Sequence, residues 1–142
     1  MRDALVRRVE ELGLGHVVSL LGRLDDPRPL LAAGDIFAMP SLNEGLGVAA
    51  LEAMACGLPV IGCAVGGLRD AVEHGRTGIL TPPGDALELA RAIMNLAAAP
   101  ETRRALGAAA RMRALERFGI DAMVCGTLAF YRACLERKVV KE

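Results

Sequence analysis

Two glutamates eight residues apart, Glu44 and Glu52, flank the turn Gly45-Leu46-Gly47 and the start of an apolar run. Across residues 45–68, Glu52 is the sole charged side chain among 24 positions, and six of those positions are glycine. A glycine-rich turn that opens a helix leaves backbone N–H groups unpaired at the positive end of the helix dipole, which favours a phosphate or another anion. Glycine also lets a ligand approach the backbone closely. Carboxylates accept hydrogen bonds from sugar hydroxyls. The combination suits a ligand with both phosphate and hydroxyl groups, as in a nucleotide sugar. Ala49, Ala50, Ala53 and Ala55 line the helix around Glu52, which predicts close packing on several sides. A carboxylate so placed costs stability unless something satisfies it.

The other chemistry-bearing residues read as structural. Ser41 has no histidine at a plausible partner position, so a serine nucleophile is not expected. His16 and His74 are isolated, without metal-ligand spacing, and read as surface or turn residues. Asp25 and Asp26 shape a turn before Pro27. No cysteine stands in a Cys-x-x-Cys pair, and no metal site is expected. Cys56, Cys63 and Cys125 lie in apolar sequence, which suits reduced core thiols in a cytoplasmic compartment.

Alternating elements must position these residues. Helices are expected over residues 3–13, 27–33, 48–56, 68–73, 86–98 (with Asp85 as N-cap), 101–118 and 121–138. Short apolar runs predict strands at residues 17–21, 35–39, 59–63 and 79–81. This alternation predicts an α/β fold: a parallel sheet of about four strands with helices on both faces, one domain over residues 1–142, and a helical extension over 101–142. Ligands of such sheets bind outside the carboxyl ends of the strands.

Composition sets bounds. The chain has 142 residues, 53% hydrophobic and 24% charged, too apolar to be disordered. Its 17 basic and 17 acidic side chains cancel, which argues against a nucleic-acid partner. No signal peptide is expected from the N-terminus, and no stretch is expected to cross a membrane. Residues 45–68 come closest, interrupted by Glu52 and Pro59.

The stretch PSLNEGLGVAALEAMACGLP, residues 40–59, resembles the signature of retaining GT-B glycosyltransferases of the group 1 (family 4) type. The matching residues are Glu44, Gly45, Glu52 and Ala53-Met54-Ala55-Cys56-Gly57-Leu58-Pro59-Val60. Val65-Gly66-Gly67, then His74-Gly75-Arg76-Thr77-Gly78-Ile79-Leu80, then Pro82-Pro83-Gly84-Asp85 follow in the family's order and spacing. The resemblance implies a Rossmann-like fold equivalent to part of a GT-B C-terminal half. It implies that Glu44 is catalytic and meets the donor sugar, and that the amides of Gly45, Leu46, Gly47 and Val48 hold sugar and diphosphate. Glu52 would hold the ribose, and a loop with Gly22, Arg23 and Leu24 would border the nucleobase. The donor would be a UDP- or GDP-sugar, transferred with retention, without a metal or other cofactor.

The resemblance also implies what these residues lack: an acceptor-binding N-terminal half, supplied by further sequence or another chain, and an Arg/Lys loop that neutralises the diphosphate. Residues 24–90 hold nine acidic side chains against three basic ones, Arg28, Arg69 and Arg76. Peripheral membrane association of a full bacterial enzyme would fit the family. The family's sheet order, 3-2-1-4-5-6, would make the four strands here 3, 4, 5 and 6. Residues 17–21 would then pair directly with residues 35–39, or the edge would pair with a second chain in a homo-oligomer, or the fold would be marginal. A nucleotide-sugar-binding domain, inactive alone, is the first reading. A non-catalytic Rossmann-like interaction module is the alternative.

Overall fold

The computed structural model describes residues 2–139, so the end of the expected helical extension lies outside the described residues. Three parallel strands, β1 (Phe37–Met39), β2 (Val60–Cys63) and β3 (Gly78–Thr81), pair in the order β1-β2-β3. Phe37 faces Val60, and Val60 faces Gly78. Seven helices accompany them: α1 (Arg2–Glu11), α2 (Arg28–Ala33), α3 (Val48–Ala55), α4 (Leu68–Ala71), α5 (Ala86–Ala97), α6 (Pro100–Phe118) and α7 (Ile120–Val139).

Strand β2 is buried along its whole length, as its unbroken Val-Ile-Gly-Cys run requires of a strand covered on both faces. Successive side chains point to opposite faces. Val60 therefore joins one cluster, with Ala50, Ala53 and Met54 of α3, Leu68 of α4 and Ala110 of α6. Ile61 joins the other, with Leu96 of α5 and Leu106 of α6. Small residues set the spacing between layers. A Cβ on Gly107 of α6 would lie 2.2 Å from the Gly57 carbonyl, and one on Gly78 would lie 2.2 Å from the Val60 carbonyl. Asp85 caps α5 as expected, its carboxylate accepting from the Glu88 N–H at 3.0 Å.

The expected first strand is not formed. Residues 17–21 carry no sheet pairing, and Val17 and Leu21 are exposed. Of the three outcomes expected for these residues, direct pairing with β1 is thereby ruled out. An apolar run becomes a strand only where a neighbour supplies hydrogen-bond partners. In the 3-2-1-4-5-6 order that the resemblance implies, the three observed strands would take positions 4, 5 and 6, which are consecutive, whereas position 3 is separated from them by two others.

Two further expectations need correction. Cys125 is exposed, not a core thiol. It sits on α7, where Ile120, Met123, Leu128, Phe130 and Leu135 are exposed as well. The second concerns membrane-spanning length. By length and composition, the helical stretch Pro100–Glu136 contains a window apolar enough to cross a membrane, and none of that window is buried. Asp121 and Arg132 look like interruptions in sequence, yet two charges spread along so apolar a helix leave its average high.

Candidate functional site

The loop from β1 to α3, residues 40–47, and the loop from β2 to α4, residues 64–67, both leave the carboxyl ends of their strands. They are locked together. The Gly67 N–H donates to the Gly45 carbonyl at 2.7 Å. A Cβ on Gly66 would lie 1.7 Å from the Glu44 carbonyl, and one on Gly67 would lie 2.2 Å from the Gly45 carbonyl. The two glycines thus let the second loop press against the first and fix the backbone of Glu44, Gly45 and Leu46.

Gly47 then opens α3 from the left-handed region, at φ 75°. A side chain there would be strained and would also crowd Leu68. Its carbonyl takes the N–H groups of Ala50 and Leu51. Among the described residues, the N–H groups of Gly45, Leu46, Gly47 and Val48 meet no acceptor. Four successive backbone donors therefore stand at the positive end of α3. Glu44 is half-buried beside them.

Glu52 lies one turn further along α3. It is exposed, unlike the enclosed carboxylate expected from its alanine neighbours. Ala50, Ala53 and Met54 form the buried face of the helix, while Ala49 and Glu52, three apart, share the open one. Solvent satisfies the carboxylate, so no desolvation cost arises. Glu52 instead borders a groove of about 390 Å³ with Asp25, Asp26, Pro27, Arg28, Leu31, Ala55 and Cys56. Its lining mixes apolar side chains, Pro27, Leu31, Ala55 and Cys56, with charged ones, Asp25, Asp26, Arg28 and Glu52.

Two of the charged lining residues form a pair that the sequence reading missed. The Arg28 guanidinium grips Asp26 in a fork, Nε to Oδ1 at 2.8 Å and Nη2 to Oδ2 at 2.9 Å, and the Arg28 N–H adds 3.0 Å to Oδ1. The guanidinium hydrogen bond, and then the backbone one, hold the Asp26 carboxyl below the usual carboxylate range. Asp26-Pro27-Arg28 at a helix start was the available signal for it. Gly22, Arg23 and Leu24 are exposed just before this groove but do not line it. The structure thus brings Glu44, Gly45, Leu46, Gly47, Val48 and Glu52 onto one loop and helix face, and brings the loop after residue 24 to that face through Asp25 and Asp26. Among the described residues no cluster of His, Cys, Asp and Glu side chains could hold a metal ion.

His74 is the turn residue expected. Its Nδ1 accepts the Leu80 N–H at 3.0 Å, and the Gly75 N–H donates to the Gly78 carbonyl at 2.8 Å. Together these cap the outer edge of β3.

Residues 1–99 match the family described as glycosyl transferases group 1. The chain belongs to that family. Group 1 relatives include the D-inositol 3-phosphate glycosyltransferase of Kribbella flavida, 43% identical over 138 residues, which span 94% of this chain and 32% of the relative. The 2-deoxystreptamine N-acetyl-D-glucosaminyltransferase of Streptomyces fradiae is 40% identical over 138 residues, spanning 96% of this chain and 32% of that protein. The chain therefore spans about a third of the length of the curated relatives it matches. Among solved structures, sucrose-phosphate synthase of Thermosynechococcus elongatus superposes with a TM-score of 0.86 at 37% identity, over 96% of this chain and 35% of that one. Anabaena HepE, solved in complex with UDP and glucose, superposes at 0.81 with 34% identity, over 89% of this chain and 36% of that one. The fold is the Rossmann-like GT-B fold of this family's C-terminal part, as the sequence resemblance implied.

Proposed function

We propose that this chain binds the nucleotide-diphosphate end of a glycosyl donor and serves a group 1 glycosyltransferase that transfers the sugar with retention. The observation that carries this reading is the order of features along α3. The groove meets its C-terminal end at Ala55 and Cys56, Glu52 stands in the middle, and four unpaired amides close its N-terminal end. From Cys56 to Val48 the helix rises about 12 Å, the reach of a nucleoside diphosphate. A planar base fits the groove, ribose hydroxyls donate to Glu52, and the diphosphate meets the amides of Gly45, Leu46, Gly47 and Val48. Glu44 then receives the sugar hydroxyls. As the sugar leaves, the amides and the helix dipole stabilise the charge gathering on the diphosphate.

The donor is a UDP- or GDP-sugar, and the complex of HepE with UDP supports the former. The acceptor is read by an N-terminal half, on the same polypeptide or another, and residues 1–142 alone do not turn over. The setting is cytoplasmic, with peripheral membrane association of the full enzyme. Titration with UDP and GDP, followed by thermal shift, tests the reading. Saturable stabilisation by one nucleotide, lost in Glu52→Ala, is expected. No shift at millimolar nucleotide, together with a stable oligomer, would favour the interaction module.

A further inference from the structure

A diphosphate brings at least two negative charges to a surface that already holds Glu44, Glu52, Asp25 and Asp26. Backbone dipoles supply only about half a charge at a helix end. The cations available nearby can be sorted by their partners. Arg28 is taken up by Asp26, and Arg76 pairs with Glu73 at 2.9 Å in the turn that enters β3, away from the carboxyl ends of the strands. Arg23 precedes the groove at its base end. Arg69 stands apart from all of these. It is the second residue of α4, one past Leu68, just after Gly66-Gly67 of the loop pressed against Glu44 and Gly45. Its Nε donates to the Ala64 carbonyl at 2.6 Å, which pins the guanidinium to that loop. Among the described residues its terminal nitrogens have no acceptor, and the side chain is exposed.

We infer that Arg69 is a donor-binding residue that supplies the counter-charge for the distal phosphate of the bound nucleotide. The assignment rests on the donor-site reading above and adds a side chain of this chain to its charge balance. The Ala64 bond spends one N–H and leaves four in the planar fork that suits phosphate oxygens. The Gly67–Gly45 hydrogen bond holds the loop before Arg69 against the turn, and the Ala64 bond orients the guanidinium, so less ordering is needed when the ligand arrives. The distal phosphate, not the base or ribose, lies at the Glu44–Gly45 end, and the arginine therefore distinguishes a nucleoside diphosphate from a monophosphate.

The test compares UDP with UMP by calorimetric titration on the full chain and on Arg69→Gln and Arg69→Lys, with thermal melts as a folding control. The wild-type chain is expected to bind UDP more tightly than UMP. Arg69→Gln should weaken UDP about tenfold, the scale of one lost hydrogen bond to a charged group, and leave UMP unchanged. Arg69→Lys should recover part of the loss, and the difference between wild type and Arg69→Gln should shrink with added salt. If UDP and UMP both bind and their ratio is the same in Arg69→Gln, the assignment to Arg69 is overturned while the donor site stands. If the wild-type chain binds neither nucleotide, the donor site fails and the assignment fails with it.

Discussion

Gly67→Ala isolates the contact on which the candidate site depends. Gly67 has φ −67°, which any residue adopts, so alanine brings no backbone strain. Its cost is steric. The new Cβ would lie 2.2 Å from the Gly45 carbonyl and 2.6 Å from the Leu46 Cα, where ordinary contacts begin at 3.4 Å. The two loops must separate by about 1 Å, and the 2.7 Å hydrogen bond between them stretches or breaks. Overpacking of this size costs about 1–3 kcal/mol, and the lost hydrogen bond about 1 kcal/mol more. A domain with about 5–15 kcal/mol of stability still folds. The amides of Gly45 and Leu46, however, no longer converge on one anion.

Gly107→Ala is the control. It makes a clash of the same 2.2 Å, with the Gly57 carbonyl, on the helix packed behind α3. Both variants should melt lower than wild type, with Gly107→Ala partly compensated by about 1 kcal/mol of helix propensity. Only Gly67→Ala should lose UDP affinity out of proportion to its stability, by about tenfold or more, as misplaced donors do. Thermal melts and calorimetric titration on both variants measure this. Undiminished UDP binding by Gly67→Ala, or equal losses in the two variants, would refute the claim that the loop contact positions the amides.

Other residues give separate outcomes. Arg113 of α6 donates to the Asp70 carbonyl at 2.6 Å and the Ala71 carbonyl at 2.8 Å and pairs with Glu73, so it caps the last carbonyls of α4 from a largely buried position. Arg113→Ala should cost about 3 kcal/mol and lower the midpoint by about 10 °C, and a drop under about 3 °C would contradict the cap. Asp26 is held below its ordinary value by Arg28, so the pair's contribution is present at neutral pH and is lost as pH falls through the depressed value. In an NMR titration, Arg28→Gln should return Asp26 to the ordinary carboxylate range, and an unchanged titration would contradict the fork. Removing residues 120–142 takes away α7, which holds no buried side chain among those described, so the midpoint should move by less than about 3 °C. A loss above about 10 °C would show that α7 supports the sheet.

Much of this fold was legible because its signals are local. The cap at Asp85, the glycine before α3 and the unbroken apolar run of β2 each act within a few residues, and each element formed where they place it. Residues 17–21 show the limit. Their run is as apolar as that of β1, yet a strand is a property of a pair, and pairing partners are not written in the run itself. Glu52 shows a second limit. Counting its neighbours along the chain suggested enclosure, whereas on a helix the positions that matter are three and four away, and those leave its face open. The Arg28–Asp26 fork was hidden differently: two residues of opposite charge beside a proline read as a turn until their geometry shows a shared groove with Cys56.

The same distinction explains why the candidate face is assembled while other surfaces stay open. The candidate site comes from two consecutive strand-to-helix loops, α3 and the start of α2, and these are held by contacts inside this chain: Gly67 against Gly45, Gly47 against Leu68, Arg28 on Asp26. The outer edge of β3 is likewise closed from within, by His74 and Gly75. The outer edge of β1 and the apolar surface of α7 have no such internal closure among the described residues. A binding face that is internally braced can be tested on this chain by titration, because ligand affinity then depends on contacts already made. Under the proposed function, turnover does not follow from the same contacts, since a glycosyl transfer also needs an acceptor oxygen held beside the donor sugar. Under that proposal binding and catalysis should separate experimentally: nucleotide affinity in these residues, and rate only where an acceptor-binding half is also present.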